Sequence, residues 1–271
     1  MTTRRFVGAF HAHSSFSYDS KVPLAALIDT LARQGYDFLL LTEHDDKLDA
    51  AQYAEVVATC DALSRPGFLV VPGLEVRCWR TPTEQWHIAA IGVRTWIPRG
   101  EIDAVVAAIH AAGGLAVLLH PHKFTRDVDW RALAPFDGVE LWNGKEDGSW
   151  SPPAHTVRFG LDVARHAGRP LYLGHDLHAL HDVRPLALVV DLPALTADDV
   201  LRVLRTGAFG LRARGMSFPA REGPGALQRA RMAAWRTVFA TYATVRRWPG
   251  LGQVAAAMNR LRRSGSDRPG A

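Results

Sequence analysis

Short, unbroken apolar segments alternate with helix-like segments from residue 6 to residue 205, and this alternation constrains the fold more than any other feature of the chain. Unbroken apolar runs are typical of parallel strands that helices cover on both faces. The predicted strands span residues 6–13, 38–44, 68–76, 87–93, 115–120, 138–143, 170–178 and 186–191. The predicted helices span residues 23–34, 48–63, 101–112, 154–167 and 196–205. We therefore predict an α/β fold around a parallel sheet, either open or closed into a barrel.

A Gly/Pro-rich stretch at residues 218–225 precedes a basic tail with two predicted helices, residues 226–245 and 253–263. Residues 212–271 hold twelve arginines and two acidic residues, a formal charge of +10, whereas the whole chain carries +5. The remaining 211 residues therefore carry −5. We assign residues 1–215 to the α/β body and residues 216–271 to a basic helical C-terminal extension. Such an extension can contact nucleic acid, an acidic membrane surface or the acidic body.

An apolar stripe runs along the first tail helix at helical spacing and consists of Trp235, Phe239, Tyr242 and Val245. The stripe indicates packing against the body or against a partner. Trp142 and Trp150, in and after the sixth strand, are likewise interpreted as packing residues.

Composition excludes several classes of protein. With 48% hydrophobic and 22% charged residues, the 271-residue chain has the composition of a globular protein. Two cysteines, Cys60 and Cys78, rule out a disulfide scaffold and a zinc site of four thiolates. The apolar runs fall far below the roughly 18 residues that span a bilayer, and the first ten residues lack a signal peptide pattern. We expect a soluble cytoplasmic protein.

Histidines and carboxylates lie at or near the ends of the predicted strands. The residues that close strands are His11, His13, His44, Glu75, His120, Asp176 and His178, and His87 begins the fourth apolar run. The carboxyl ends of parallel strands in an α/β barrel meet at one mouth, where active sites lie. We therefore expect these side chains to converge. Imidazole nitrogens and carboxylate oxygens are ligands for Zn, Mn and Fe, so the cluster indicates a metal site, although ligand type does not separate these metals.

The same residues form motifs that resemble those of the polymerase and histidinol phosphatase (PHP) family of metal-dependent phosphoesterases. Residues 11–20 (HAHSSFSYDS) resemble the first motif, residues 42–45 (TEHD) the second and residues 72–75 (PGLE) the third. His120-Pro121 and residues 174–178 (GHDLH) resemble later motifs. The resemblance covers about residues 5–190 in order.

The resemblance implies a distorted (β/α)7 barrel that holds two or three divalent metal ions. It implies that the first ion is bound by His11, His13, Glu75 and Asp176, the residues expected to carry catalysis. Glu75 would bridge to the second ion, which His87 and His120 complete. The resemblance assigns the third ion to Asp19, His44 and His178.

Divalent metals lower the pKa of water from 15.7 to about 7, and the implied reaction is attack of the resulting hydroxide on phosphorus. No side-chain nucleophile is needed, so Ser14, Ser15 and Cys78 are interpreted as bystanders. Candidate substrate-binding residues near the motifs are Arg77, Arg80, His122 and Asn143. Asp45 could orient a ligand imidazole or cap a helix.

The leading interpretation is hydrolysis of a small phosphomonoester or nucleotide. The first alternative is a nuclease in which the basic tail holds nucleic acid, a partner that the leading interpretation does not require. The second is a metal-dependent amidohydrolase, for whose bridging carbamylated lysine the four lysines offer no good counterpart: Lys21, Lys47, Lys123 and Lys145. A non-catalytic, metal-stabilised binding module is the last alternative.

Overall fold

The computed structural model describes residues 2–123, 128–148 and 150–246, so the predicted helix at residues 253–263 lies outside the described residues. The strands in chain order are β1 (Arg4–Phe10), β2 (Phe38–Leu40), β3 (Glu43–His44), β4 (Leu69–Val71), β5 (Gly73–Thr81), β6 (Glu84–Ile91), β7 (Gly100–Glu101), β8 (Leu115–Leu119), β9 (Gly138–Asn143), β10 (Leu171–Gly174), β11 (Leu186–Leu192), β12 (Gly210–Ala213) and β13 (Met216–Pro219). The helices are α1 (Leu24–Arg33), α2 (Ala50–Leu63), α3 (Ile102–Ala111), α4 (Ala154–Asp162), α5 (Ala197–Thr206) and α6 (Ala226–Arg246).

The strands form two mixed sheets. The first has the order β13-β12-β11-β1-β2-β4, and the second has the order β10-β9-β8-β6-β5-β3, with β7 paired to β5. Strands β1, β2 and β4 are parallel, as are β8, β9 and β10. Strand β11 is antiparallel to β1. The α/β class is therefore confirmed, whereas this pairing does not establish a closed (β/α)7 barrel of parallel strands.

Strands β5 and β6 form an antiparallel hairpin, which the alternating pattern did not predict. Both strands extend beyond the apolar runs, and only residues 82 and 83 connect them. Parallel strands need a crossover of a dozen or more residues, so this connection permits only antiparallel pairing. Strand β6 is also antiparallel to β8, and His87 pairs with Leu119 at the end of β8. The reversal thus brings His87 to the edge where the parallel strands end.

The helices begin at local signals in the sequence. Asp49 accepts a hydrogen bond from the backbone N–H of Gln52, whose side chain accepts one from Asp49 N in return, and this capping box starts α2. Thr196 accepts a hydrogen bond from the N–H of Asp199 at the start of α5. Helix α5 ends at Gly207, which has a φ of 70°. None of the described helices is long and apolar enough to cross a membrane.

Helix α6 packs against the segment that follows β9. The rings of Trp150 and Phe239 stack with centroids 4.4 Å apart, and Trp235 lies 5.3 Å from Trp150. The Arg236 guanidinium donates a hydrogen bond to Pro152 O at 2.8 Å. The predicted packing of the apolar stripe is confirmed for Trp235 and Phe239. The division of the chain at residue 215 stays a prediction; β13 follows it directly and pairs with β12.

Replacing Gly73 with alanine should destabilise the protein. Gly73 begins β5, and a Cβ atom there would lie 2.5 Å from Leu41 O and 2.8 Å from Ala90 O, both backbone atoms. Such overpacking costs about 1–3 kcal/mol, because the neighbouring strands must move. Urea unfolding measures the loss. Gly100→Ala is the matched control, since its Cβ would meet Val105 only at 3.8 Å, and equal stability of the two variants would contradict the prediction.

Candidate metal centre

The buried carboxylate of Glu75 lies among five imidazoles from distant parts of the chain. Glu75 is 2% exposed. Its Oε2 atom is 3.1 Å from His11 Nε2 and 3.3 Å from His13 Nε2, and its Oε1 atom is 3.1 Å from His120 Nε2. The five imidazoles belong to His11, His13, His44, His87 and His120. The structure thus brings together the residues that the strand ends predicted.

Two further carboxylates extend the cluster. Asp176 Oδ1 is 3.7 Å from His13 Nε2 and 3.3 Å from His178 Nδ1. Asp19 Oδ2 is 3.3 Å from His44 Nε2 and 3.0 Å from His178 Nε2. Both imidazoles therefore lie close to one oxygen of Asp19, and these three residues are the set predicted for a third ion.

Within the described ranges, four groups of three side chains have ligand atoms within 4.8 Å of one another. The groups are His11, His13 and Glu75; His11, His120 and Asp176; Glu75, His87 and His120; and His13, His44 and His178. The third group matches the set that the resemblance assigns to the second ion. The first and second together contain the set for the first ion. Ligand roles within these groups remain predictions.

Three of these residues have an unusual backbone conformation. His11, His120 and Asp176 have φ angles of 62°, 26° and 51°, and they are three of the five non-glycine residues with positive φ in the described ranges. Each follows a strand closely, since β1, β8 and β10 end at residues 10, 119 and 174. Such backbone costs about 1–3 kcal/mol per residue and is concentrated at functional sites, where the surroundings hold it.

Glu140 fixes the orientation of His11. The Oε1 atom of this buried residue of β9 is 2.8 Å from His11 Nδ1, which leaves His11 Nε2 facing Glu75. Its Oε2 atom accepts hydrogen bonds from His120 N at 2.7 Å and from Asn143 Nδ2 at 3.0 Å. A carboxylate on the outer nitrogen of an imidazole sets its tautomer and raises its basicity as a ligand.

His13 is linked through Ser17 to a second buried carboxylate, that of Glu43, which the strand-end pattern did not identify. Ser17 Oγ lies 3.4 Å from His13 Nδ1 and donates a hydrogen bond to Glu43 Oε2. Glu43 also accepts hydrogen bonds from the hydroxyl and the backbone N–H of Ser14. Burial raises the pKa of Glu43 to about 6. Glu43 lies within the second motif, residues 42–45, but the motif gave it no role of its own.

The electrostatics of the cluster fit a divalent cation. Burial lowers the pKa of His13 to about 3, so its imidazole is neutral. His13 Nε2 has no hydrogen bond within the described part of the chain, although two carboxylates face it. Burial alone would raise the pKa of Glu75, but the charge of His87 and hydrogen bonds from His11 and His120 hold that pKa well below 4.5. A neutral imidazole and ionised carboxylates are the donors that such ions need.

The predicted substrate-binding arginines are paired with carboxylates. Arg77 donates a hydrogen bond to Asp46 Oδ2. Arg80 is 3.5 Å from Glu84 Oε1 and lies over the ring of Trp86, at a cavity of about 300 Å³ that Trp79 also lines. Arg77 pairs with His87 through the β5–β6 backbone ladder, but the printed side-chain partners of both guanidinium groups in the described structure are other carboxylates, and their substrate roles stay predictions.

His122, Asn143 and Asp45 also have defined partners. The ring of His122 meets His155 edge-on at 4.8 Å. Asn143 is buried and uses both ends of its amide inside the protein. The Asp45 carboxylate accepts hydrogen bonds from Arg99 Nε at 2.6 Å and from the backbone of Arg77 at 3.2 Å. Asp49, and not Asp45, caps α2, and the interpretation of Asp45 as a residue that orients a ligand imidazole stays a prediction.

Comparison with known proteins places this geometry among solved structures. No protein-family model and no curated protein matches the sequence. The chain is similar to a two-domain protein from Bacteroides vulgatus containing a predicted PHP-like metal-dependent phosphoesterase, with 17% identity and a TM-score of 0.59 over 78% of this chain and 65% of that one. The chain has a PHP-like fold. The likeness thus confirms the resemblance at the level of the fold.

Two other solved structures are similar in fold to this chain. PsfC from Pseudomonas syringae is 16% identical, with a TM-score of 0.56 over 89% of this chain and all of that one. The lesion-specific endonuclease PfuEndoQ from Pyrococcus furiosus is 12% identical, with a TM-score of 0.52 over 77% of this chain and 58% of that one. At these identities the likeness concerns the fold, and the chemistry has to be argued from the centre itself.

Proposed function

We propose that the protein hydrolyses a phosphate ester, most simply a small phosphomonoester or a nucleotide, with divalent metal ions held at the candidate centre. The observation that carries the proposal is the convergence of five imidazoles on the buried carboxylate of Glu75, with Asp176 and Asp19 beside them. The PHP-like fold shared with a protein containing a predicted metal-dependent phosphoesterase supports it.

The proposed ligands divide as the motifs imply. His11, His13, Glu75 and Asp176 would hold one ion, and Glu75 would be shared with a second ion held by His87 and His120. Asp19, His44 and His178 would hold a third. The close groups within the cluster support this division. Zn, Mn and Fe all suit this ligand set.

Bound divalent ions would supply positive charge for the phosphoryl oxygens and lower the pKa of water to about 7. The chain's own residues prepare the site: Glu140 holds His11, and Ser17 holds His13. Two of the three side chains expected to be bystanders, Ser14 and Cys78, have hydrogen-bond partners of their own. The Ser14 hydroxyl donates to Glu43, and burial raises the pKa of the Cys78 thiol to about 12. Water, rather than either side chain, is therefore the proposed nucleophile.

The test begins with protein loaded with Mn or Zn and a panel of phosphomonoesters, nucleotides and phosphodiesters. We expect hydrolysis of at least one ester, its loss in His120→Ala, and its retention in His110→Ala. His110, an exposed residue of α3, is the matched control because its imidazole pairs with Asp137, outside the centre. Turnover that survives His120→Ala, or no turnover by fully metal-loaded protein, would refute the proposal.

A nuclease is the second candidate, favoured by the structural likeness to a lesion-specific endonuclease and by the exposed Arg229 and Arg231 on α6. Because α6 packs against Trp150, deletion of residues 224–271 would also uncover the segment beside the centre. Arg229→Gln with Arg231→Gln is the cleaner test. If the protein is a nuclease, this double substitution should weaken DNA binding and reduce the salt dependence of that binding, while phosphomonoester turnover stays unchanged.

A further inference from the structure

Lys145 lies at the open side of the candidate centre. Its Nζ atom is 3.3 Å from His178 Nδ1 and 3.8 Å from Asp176 Oδ1. About half of its side chain, 47%, is exposed, whereas that of Asp176 is 3% exposed. Lys145 therefore stands between the buried ligands and solvent, where a substrate has to enter.

The backbone of Lys145 is fixed by the same residue that holds Asp176. Asn143 Oδ1 accepts hydrogen bonds from Lys145 N at 2.9 Å and from Glu146 N at 2.8 Å. Asn143 Nδ2 donates to Asp176 Oδ2 at 3.2 Å. Asp147 closes the turn, since its carboxylate accepts a hydrogen bond from Asn143 N at 2.9 Å. This turn therefore fixes the backbone from which the Lys145 side chain reaches Asp176 and His178.

Three other cations near the centre have carboxylate partners outside the proposed ligand set. Lys123 Nζ is 2.8 Å from Glu146 Oε1, and Arg99 is paired with Asp45. Arg77 is paired with Asp46. Lys145 differs from these three, because the carboxylate that it approaches is Asp176, a proposed metal ligand.

We propose that Lys145 binds a phosphoryl oxygen of the substrate, an inference that rests on the proposed function. With the centre loaded, the ions neutralise the Asp176 and Glu75 carboxylates, and an ammonium 3.3 Å from His178 faces net positive charge. An anion between the ammonium and the ions removes this repulsion. A phosphoryl group has the charge and the oxygen acceptors for that position, and a lysine ammonium binds it as a point charge.

The experiment compares wild type, Lys145→Gln, Lys145→Arg and Lys21→Gln, each loaded with Mn. Lys21, an exposed lysine in the loop after β1, is the control for the charge change. Metal content is measured by elemental analysis, and inorganic phosphate binding by calorimetry. We expect Lys145→Gln to retain its metal and bind phosphate about 10- to 100-fold more weakly, with a smaller loss in Lys145→Arg and none in Lys21→Gln.

Unchanged phosphate affinity in Lys145→Gln, no phosphate binding by wild type, or loss of metal from Lys145→Gln would each overturn the inference. Phosphate binding, measured together with the ester hydrolysis assay, separates this inference from the proposed function. Lys145-dependent phosphate binding without hydrolysis of any ester would sustain the anion site and refute the enzyme. Hydrolysis that needs His120, with normal phosphate binding by Lys145→Gln, would sustain the enzyme and refute the anion site.

Discussion

Replacing Glu75 with glutamine should strip the protein of its metals and lower phosphoester hydrolysis by more than about 100-fold, since loss of a partner that only orients a ligand already costs 10- to 100-fold. Glu75 contacts five imidazoles and is the proposed bridge between two ions. Glutamine keeps the shape of the side chain but removes the charge that offsets those ions. Elemental analysis after dialysis and steady-state kinetics measure the two losses.

The control for this variant is Glu55→Gln, the same substitution at an exposed position in the middle of α2. It should bind metal and turn over substrate like the wild type. Circular dichroism and thermal unfolding of the metal-free proteins establish that Glu75→Gln is folded. A folded Glu75→Gln protein that retains the full metal content would show that Glu75 is not a ligand.

Much of the centre was predictable because its residues follow strands, and the ends of strands can be read from local patterns. His11, His120 and Asp176 were found in this way, and the structure brings them together. The reason for the match is geometric, since neighbouring parallel strands end at a common edge. Their positive φ angles could not be predicted, because only the packed surroundings hold such a backbone.

The missed features are two hairpins and several side-chain contacts between distant segments. The β5–β6 hairpin reverses the direction predicted for His87, although the residue still reaches the centre. The β12–β13 hairpin was not predicted, because its two strands are only four residues long. The partner of Arg77 was also not predictable. Its proximity to Glu75 in sequence indicated substrate binding, whereas its guanidinium donates a hydrogen bond to Asp46. Glu43 and Lys145 carry no distinctive spacing, and only tertiary contacts identify them.

Replacing Gly174 with alanine should disable the centre without changing any proposed ligand. Gly174 ends β10, and a Cβ atom there would overlap Glu140 Oε1 and lie 2.9 Å from His11 Cβ. Glu140 cannot withdraw freely, because its carboxylate contacts His11 and accepts hydrogen bonds from His120 N and Asn143. The added methyl group therefore forces Glu140 away from His11 Nδ1. We expect metal affinity to fall about 10- to 100-fold, as when an orienting carboxylate is lost.

A double-mutant cycle with Glu140→Ala identifies the cause. Both substitutions act on one contact, so their effects on metal affinity should not add, and the double variant should bind metal about as weakly as Glu140→Ala alone. The unfolding free energy should behave differently. Gly174→Ala should cost about 1–3 kcal/mol in the wild type and less in the Glu140→Ala background, where the overlapping carboxylate is gone.

Gly210→Ala is the matched control for this cycle, because its Cβ atom would lie 3.8 Å from that of Val189, an ordinary contact between β12 and β11. It should leave metal affinity unchanged. Strictly additive losses of metal affinity in the double variant would contradict the argument, since they would mean that the methyl group at position 174 acts on His11 directly rather than through Glu140. Normal metal binding by Gly174→Ala would contradict the orienting role of Glu140 itself, because His11 would then keep its orientation without the Glu140 carboxylate.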